Sequence, residues 1–202
     1  MPRDAVLAAL RQNLPQSSPL PDVSAHAAEW IRYDDPVEQF RQTLESVGGD
    51  FVVAADRAEA DAAIRGLPAF EGEVRVSRVD GVGETTFDYD SLTDPHELAH
   101  VELAVMPGHF LVAENACCWV TCQTVCDRVA HFLTQHLALV VEGPMLHNMH
   151  EAYERIDPRA QPFSIFISGP SKTADIEQSL VIGAHGSRSL TVVWIPTAGD
   201  SD

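Results

Sequence analysis

The chain has 202 residues and carries 13 Lys plus Arg against 30 Asp plus Glu, a formal net charge of −17. A surface that acidic argues against nucleic acid and against anionic membrane as partners, and leaves small ligands or a basic protein partner. Apolar content of 45% and charged content of 21% are ordinary for a single globular domain, and no stretch approaches the roughly 20 apolar residues that span a bilayer.

The first residues predict a short helix over Asp4–Leu14, with Val6, Leu7 and Leu10 on one side, and they lack the apolar core and cleavage site of a signal peptide. Pro15–Pro21 reads as an extended linker, so residues 1–22 are expected to form an arm and residues 23–202 one domain. Asp34-Asp35 before Pro36 is a helix start, Val37, Phe40 and Leu44 share a face, and Gly48-Gly49 stops the helix. Phe51–Ala54 follows as a buried strand, and Asp56 caps a second helix bearing Ala60, Ala63, Ile64 and Leu67. Val74, Val76 and Val79 alternate as an edge strand, and Val82–Asp90 reads as loop. Leu103–Met106 and Phe110–Ala113 are short apolar runs separated by a Pro107-Gly108 turn signal. Cys117–Thr121 is a further strand, antiparallel to its neighbours; Arg128–Leu133 is helical, Leu137–Val141 a buried strand, and Pro144–Tyr153 a helix.

The stretch Phe163–Pro196 organises the rest. Phe163–Ile167 reads as a strand buried on both faces of a parallel sheet, Thr173–Ile182 as a helix with Ile176 and Leu180 one turn apart, and Leu190–Ile195 as the next strand. Strand, turn, helix, strand is a βαβ unit, and its turn would leave the carboxyl edge of the sheet, where open α/β sheets bind ligands. The fold class expected is therefore α/β, with a doubly wound, mostly parallel sheet.

Ile167-Ser-Gly-Pro-Ser-Lys-Thr-Ala-Asp-Ile-Glu-Gln178, followed by Val181-Ile-Gly-Ala-His-Gly186, closely resembles the C-terminal signature of the LutC/YkgG lactate-utilisation proteins, the LUD-domain family. That resemblance implies the fold shared by glucosamine-phosphate deaminases, ribose-phosphate isomerases and coenzyme A transferases (NagB/RpiA/CoA-transferase-like). It also implies a cytoplasmic component of a system that oxidises L-lactate to pyruvate, acting with partner subunits that carry iron–sulfur clusters. The chain's own part would be ligand binding or assembly, with no cofactor of its own. The alternative is a stand-alone enzyme of the same fold, acting on a sugar phosphate or an acyl-CoA-type anion.

Within the signature, Ser168, Gly169, Ser171, Lys172 and Thr173 at a helix start would offer N–H groups, hydroxyls and a cation to a small anion, with Asp175 and Glu177 in the first turns and His185 beyond the helix end. A structural reading stands beside it: Ser171 or Thr173 caps the helix and Lys172 is solvated. Glu114-Asn115-Ala116 occupies a sharp turn where LUD relatives usually carry Glu-Thr-Gly-Thr; Glu114 is either a nucleophile or base, by analogy with coenzyme A transferases, or a turn cap. His96-Glu-Leu-Ala-His100 matches the zinc-hydrolase pattern H-E-x-x-H but lacks the third histidine, and His147-Asn-Met-His150 is a weaker pattern of that kind. Cys117, Cys118, Cys122 and Cys126 lack zinc or cluster spacing and read as buried thiols in a reducing compartment, Cys118, Val120 and Cys122 on one face and Cys117, Trp119 and Thr121 on the other. No metal site is expected.

Overall fold

The computed structural model describes residues 3–14, 18–19, 23–157, 160–174 and 180–197. Contacts divide the chain into two units, residues 1–30 and 31–202. In the first, helix α1 (Arg3–Gln12) has Asp4 in its first turn and Arg11 in its last, charges matched to the helix dipole, and it buries no residue. A 3₁₀ segment covers Val23–Glu29. The expected linker Pro15–Pro21 lies outside the described residues except at Ser18 and Pro19.

The second unit runs α2 (Pro36–Ser46), β1 (Asp50–Val53), α3 (Arg57–Arg65), β2 (Arg75–Ser77), β3 (Leu103–Gly108), β4 (Phe110–Val112), β5 (Cys117–Cys122), α4 (Val125–Leu133), β6 (His136–Glu142), β7 (Met145–Leu146), α5 (Met149–Arg155), β8 (Phe163–Ile167), β9 (Lys172–Ala174), β10 (Leu180–Ile182) and β11 (Ser189–Ile195). The two aspartate caps act as the sequence predicts. Asp35 accepts the N–H of Glu38, and Asp56 those of Ala58 and Glu59.

Five strands form a parallel sheet in the order β1-β11-β6-β3-β2. Both of its faces are covered, which is why its central strands read as unbroken apolar runs. Leu137, Leu139 and Val141 of β6 face the core that holds Phe40, Leu44 and Phe51, while Ala138 and Val140 face Ala60 and Ile64 of α3. This is the doubly wound α/β arrangement.

A second sheet, β7-β4-β5-β8, stacks on the first core. Its strand β5 is antiparallel to both β4 and β8, as expected, and its residues alternate: Cys118 and Val120 face the shared core, Cys117 and Trp119 the cluster under α5. Phe163–Ile167 belongs here, antiparallel to β5, and not to the parallel sheet. It is indeed apolar on two packed faces, with Ile165 and Ile167 against the shared core and Phe166 against Phe110, Trp119 and Tyr153. Apolar periodicity cannot distinguish that environment from a parallel one.

Three further expectations are corrected. The helix expected over Thr173–Ile182 is contradicted at both of its ends, which are paired strands with Thr173 opposite Val181 and Lys172 opposite Ile182. The β-branched Thr173, Val181 and Ile182 favour that pairing over the helical spacing of Ile176 and Leu180; residues 175–179, with Ile176, lie outside the described residues. Among the described residues, β8 and β11 are therefore joined through strands β9 and β10 and not through a helix. Pro107-Gly108 is not a turn but the end of β3, paired with Val140 and Val141 of β6. Strand β2 stops opposite Val105, so the missing N–H of Pro107 leaves no partner strand unsatisfied. The helix expected from Pro144 begins only at Met149, where Asn148 accepts the N–H of Glu151, because Met145–Leu146 pair with β4.

Neighbouring strands β3 and β6 leave the parallel sheet together, and their continuations β4 and β7 are again neighbours. At this crossing a Cβ on Gly143 would overlap the backbone carbonyl oxygen of His109. The indole of Trp194 donates to the Gly143 carbonyl at 2.8 Å, which holds the backbone in place. Gly143→Ala should therefore lower unfolding stability by about 2 kcal/mol or more, read as a reduced midpoint in urea denaturation.

Candidate functional site

After β8 the chain turns through Gly169, with φ +73°, and a Cβ there would stand 2.9 Å from Val47 Cγ2, so only glycine fits. Pro170 is buried, and Ser171 N–H donates to the Ser187 carbonyl at 2.9 Å. The return segment packs equally closely, since a Cβ on Gly186 would lie 2.9 Å from Ser171 Cβ. Residues 169–172 and 183–188 are thus two loops laced together, with Arg188 N–H donating to Gln135 O just past α4.

Between these loops and α4 lies a cavity of about 250 Å³. Ser171, Lys172 and His185 line it, with His131 and Ser187 deeper and Leu137 and Leu190 as an apolar floor. Four of the residues singled out from the sequence meet here: Gly169, Ser171, Lys172 and His185. They are brought together by loop–loop packing at a hairpin, not by a helix N-terminus. The location also differs from expectation. Leu137 and Leu190 stand at the amino ends of β6 and β11, so the cavity opens at the amino edge of the parallel sheet and the carboxyl end of β8.

The remaining candidates are elsewhere. Ser168 Oγ donates to the Asn115 carbonyl at 2.7 Å, tying β8 to the β4–β5 turn. Glu114, exposed, accepts the N–H of Met149 at 2.8 Å and so sits at the start of α5. Thr173 Oγ1 contacts the Val181 carbonyl at 3.4 Å within the hairpin. Asp175 and Glu177 lie outside the described residues. Ala116 has φ +52°, the left-handed region, at the position where the resemblance places glycine; an alanine there costs about 1 kcal/mol.

Sequence reasoning missed His131 and Ser187. Both are nearly fully buried, at 3% and 5% exposure. Among the described residues, the buried side-chain N and O atoms without a hydrogen-bond partner are Arg75 Nε, His131 Nε2 and Ser187 Oγ. Two of those three belong to this cavity. A buried polar atom without a partner costs stability, so a functional site is where such a pair is tolerated. His131 Nδ1 lies 2.7 Å from the Asp127 carbonyl oxygen, which can only accept, so Nδ1 carries the proton. Burial pushes the imidazole below its ordinary pKa, against the opposing pull of the Asp127 carbonyl and carboxylate. One signal was available in the sequence: Lys172 is the only lysine in the chain, all its other cationic side chains being arginine or histidine.

An apolar groove of about 700 Å³ adjoins the cavity and shares Phe132 and His185 with it. Val125, Val129, Leu133 and Phe163 line it, and the Arg128 guanidinium stands 5.5 Å from the Phe163 ring centre.

The zinc-like pattern has no geometry to support it. Pro95–His100 is a 3₁₀ helix, in which residues four apart point roughly 120° apart, and His96, Glu97 and His100 are exposed while Leu98 is core. His147 Nδ1 accepts the Tyr33 N–H at 3.0 Å. Adjacent Cys117 and Cys118 face opposite sides of β5, so they cannot converge on one metal, and burial raises the Cys117 and Cys122 thiols to about 11. Among the described residues no group of His, Cys, Asp and Glu is arranged to hold a metal, and no helix is long and apolar enough to cross a membrane.

An α/β chain with a doubly wound parallel sheet and a loop-built polar cavity is the class these features define. The profile of the LUD domain matches residues 94–195, half of the chain, and the protein belongs to that family. It is similar to an uncharacterized protein of Neisseria meningitidis, 41% identical over 63 residues, 30% of this chain and 27% of that one. It is also similar to lactate utilization protein C of Anoxybacillus flavithermus, 39% identical over 70 residues, 34% of this chain and 32% of the relative. In both, the match spans a third or less of the relative's length. Lactate utilization protein C of an Exiguobacterium species aligns more widely, 25% identical over 181 residues, 80% of this chain and 78% of the relative. A crystal structure of a DUF162 family protein from Deinococcus radiodurans shares the fold, with TM-score 0.58 at 16% identity over 79% of this chain and 96% of that one.

The lowered pKa of His131 makes folding favour the neutral ring. Its contribution is complete above the unfolded value of 6.5 and is lost as pH falls below it toward the folded value. Replacing His131 by Phe should therefore flatten the dependence of unfolding free energy on pH below about 6.5, measured by denaturant titration at stepped pH.

Proposed function

We propose that this chain is the LutC-like component of a system that oxidises L-lactate to pyruvate, and that its cavity holds a small carboxylate. The observation that carries this reading is the placement of the chain's single lysine, with Ser171 and His185, at the rim of a cavity built from the family signature. A protonated lysine on a hydroxyl- and amide-lined rim is suited to one carboxylate, whereas the excess of acid over the rest of the surface repels anions from other places. Relatives that bear the name lactate utilization protein C support lactate as the physiological context. In this reading the electrons pass through iron–sulfur clusters held by partner subunits in the cytoplasm. Adjacent Cys117 and Cys118 face opposite sides of β5, Cys122 ends that strand and Cys126 lies on α4, so ligand binding or assembly is its share of the work.

Thermal melting with L-lactate tests the reading. Ligand that binds only the folded state raises the melting temperature by mass action. The wild type should be stabilised, and Lys172→Ala should lose most of that shift while the ligand-free protein melts nearly unchanged, because Lys172 is exposed. An equal loss of stability without lactate would instead make Lys172 a structural residue of the loop.

A further inference from the structure

One face of the parallel sheet packs on α3, with Val52, Ala138, Val140 and Val193 against Ala60 and Ile64. At the amino edge this apolar face turns polar. Asp50 lies opposite Thr191, and His136 opposite Ser189, so the alternation that turns Val52, Val193 and Ala138 toward α3 turns these four residues the same way. Leu67 and Pro68, just beyond the end of α3, stand across from them, and the space between is a cavity of about 440 Å³. The Lys172 cavity lies on the other face, where Leu190 shares a core with Phe40 and Leu44, and the two cavities have only Leu137 in common. His136 Nδ1 and Ser189 Oγ satisfy each other at 2.8 Å. Thr191 is different: it is 4% exposed, and its hydroxyl has no hydrogen-bond partner among the described residues. That hydroxyl is not sealed in, since the fully enclosed side-chain atoms without a partner are those of Arg75, His131 and Ser187; it opens into the cavity that Thr191 lines. Asp50 and Glu102 line the same space without an ion-pair partner among the described residues, and none of the 13 Lys and Arg of the chain lines it.

We infer that this cavity is a binding site for a linear polyamine. In the sheet order β1-β11-β6-β3, Asp50 begins β1 and Glu102 immediately precedes β3, so three strand spacings, about 14 Å, separate them across the sheet. One cationic centre cannot reach both carboxylates, and the ligand therefore bears an ammonium at each end. Thr191 on β11 is one spacing from Asp50 and two from Glu102, and its hydroxyl accepts an N–H from an ammonium within the chain, nearer one end than the other. The methylenes between the charges lie against Leu67, Pro68 and Leu103. Gly72 holds the Glu102 end in place: a Cβ on it would stand 2.5 Å from Glu102 Cβ, so the turn after α3 packs directly on that residue. A metal ion does not fit, because among the described residues no group of His, Cys, Asp and Glu is arranged to hold one. The site stands apart from the carboxylate cavity and does not depend on it.

The test is calorimetric titration of the full chain with spermidine, octane-1,8-diamine and putrescine, in about 0.15 M salt to screen the general surface charge. The first two have the same length and only spermidine has an interior ammonium, while putrescine is too short to join the two carboxylates. Wild type should bind spermidine about fivefold more tightly than octane-1,8-diamine, and the latter about fivefold more tightly than putrescine. Asp50→Asn and Glu102→Gln, at exposed positions where the fold is kept, should each weaken spermidine about fivefold. Glu45→Gln, the same loss of charge at an exposed position of α2, should leave it within about twofold. Thr191→Val keeps the shape without the hydroxyl, so it should melt no lower than wild type without ligand and bring spermidine to within about twofold of octane-1,8-diamine. Putrescine binding as tightly as spermidine, Glu45→Gln costing as much as Asp50→Asn, or an advantage of spermidine that survives Thr191→Val overturns the site, as does an absence of binding.

Discussion

The structure depends on one crowded crossing, where β3 and β6 leave the parallel sheet side by side and continue as β4 and β7 of the second sheet. Backbone meets backbone there: His109 N–H donates to Trp119 O, Leu111 N–H to Pro144 O, and Gly143 has no room for a side chain. Two sheets made from the same pair of strands cannot slide on each other. The apolar layer between them is therefore fixed in place by the main chain as well as by packing, and Cys118, Val120, Ile165 and Ile167 meet the parallel sheet in a set register.

The crossing sits at the carboxyl ends of β3 and β6, whereas the cavity sits at the amino ends of β6 and β11. Seven residues of β6 separate them, about 23 Å of extended chain. Because the carboxyl edge is occupied by the crossing, the polar loops have collected at the opposite end. There Gly169 and Gly186 let two loops pack against Val47 and Ser171 more closely than any side chain would permit. Of the three buried polar side-chain atoms without a partner among the described residues, two lie at the same place.

The parallel sheet was legible in the sequence because its strands are buried on both faces, and continuous runs such as Leu137–Val141 and Leu190–Ile195 have no other common reading. The helix starts were legible because Asp35 and Asp56 act locally, within three residues of the groups they cap. The second sheet was not. Phe163–Ile167 has the apolar composition of a parallel strand, and only its partner β5, about 45 residues earlier, makes it antiparallel. The pairing of β9 with β10 was illegible for a related reason: the helical spacing of Ile176 and Leu180 competes with the β-branched residues at both ends. In the candidate site, the loop residues were visible as a family signature, but His131 was hidden on the buried side of α4, where a histidine looks like any packed ring. Only its committed Nδ1 and idle Nε2 distinguish it, and those are facts of tertiary structure.

The single lysine has a consequence for chemistry performed on the protein from outside. Every reagent or enzyme that acylates a side-chain amine has one place to act in this chain, and that place is the mouth of the cavity. An acyl group at Lys172 would erase the positive charge at the rim while leaving the arginines that brace the rest of the surface untouched. Covalent occupancy of that amine and access to the interior space behind it are thereby joined in one atom.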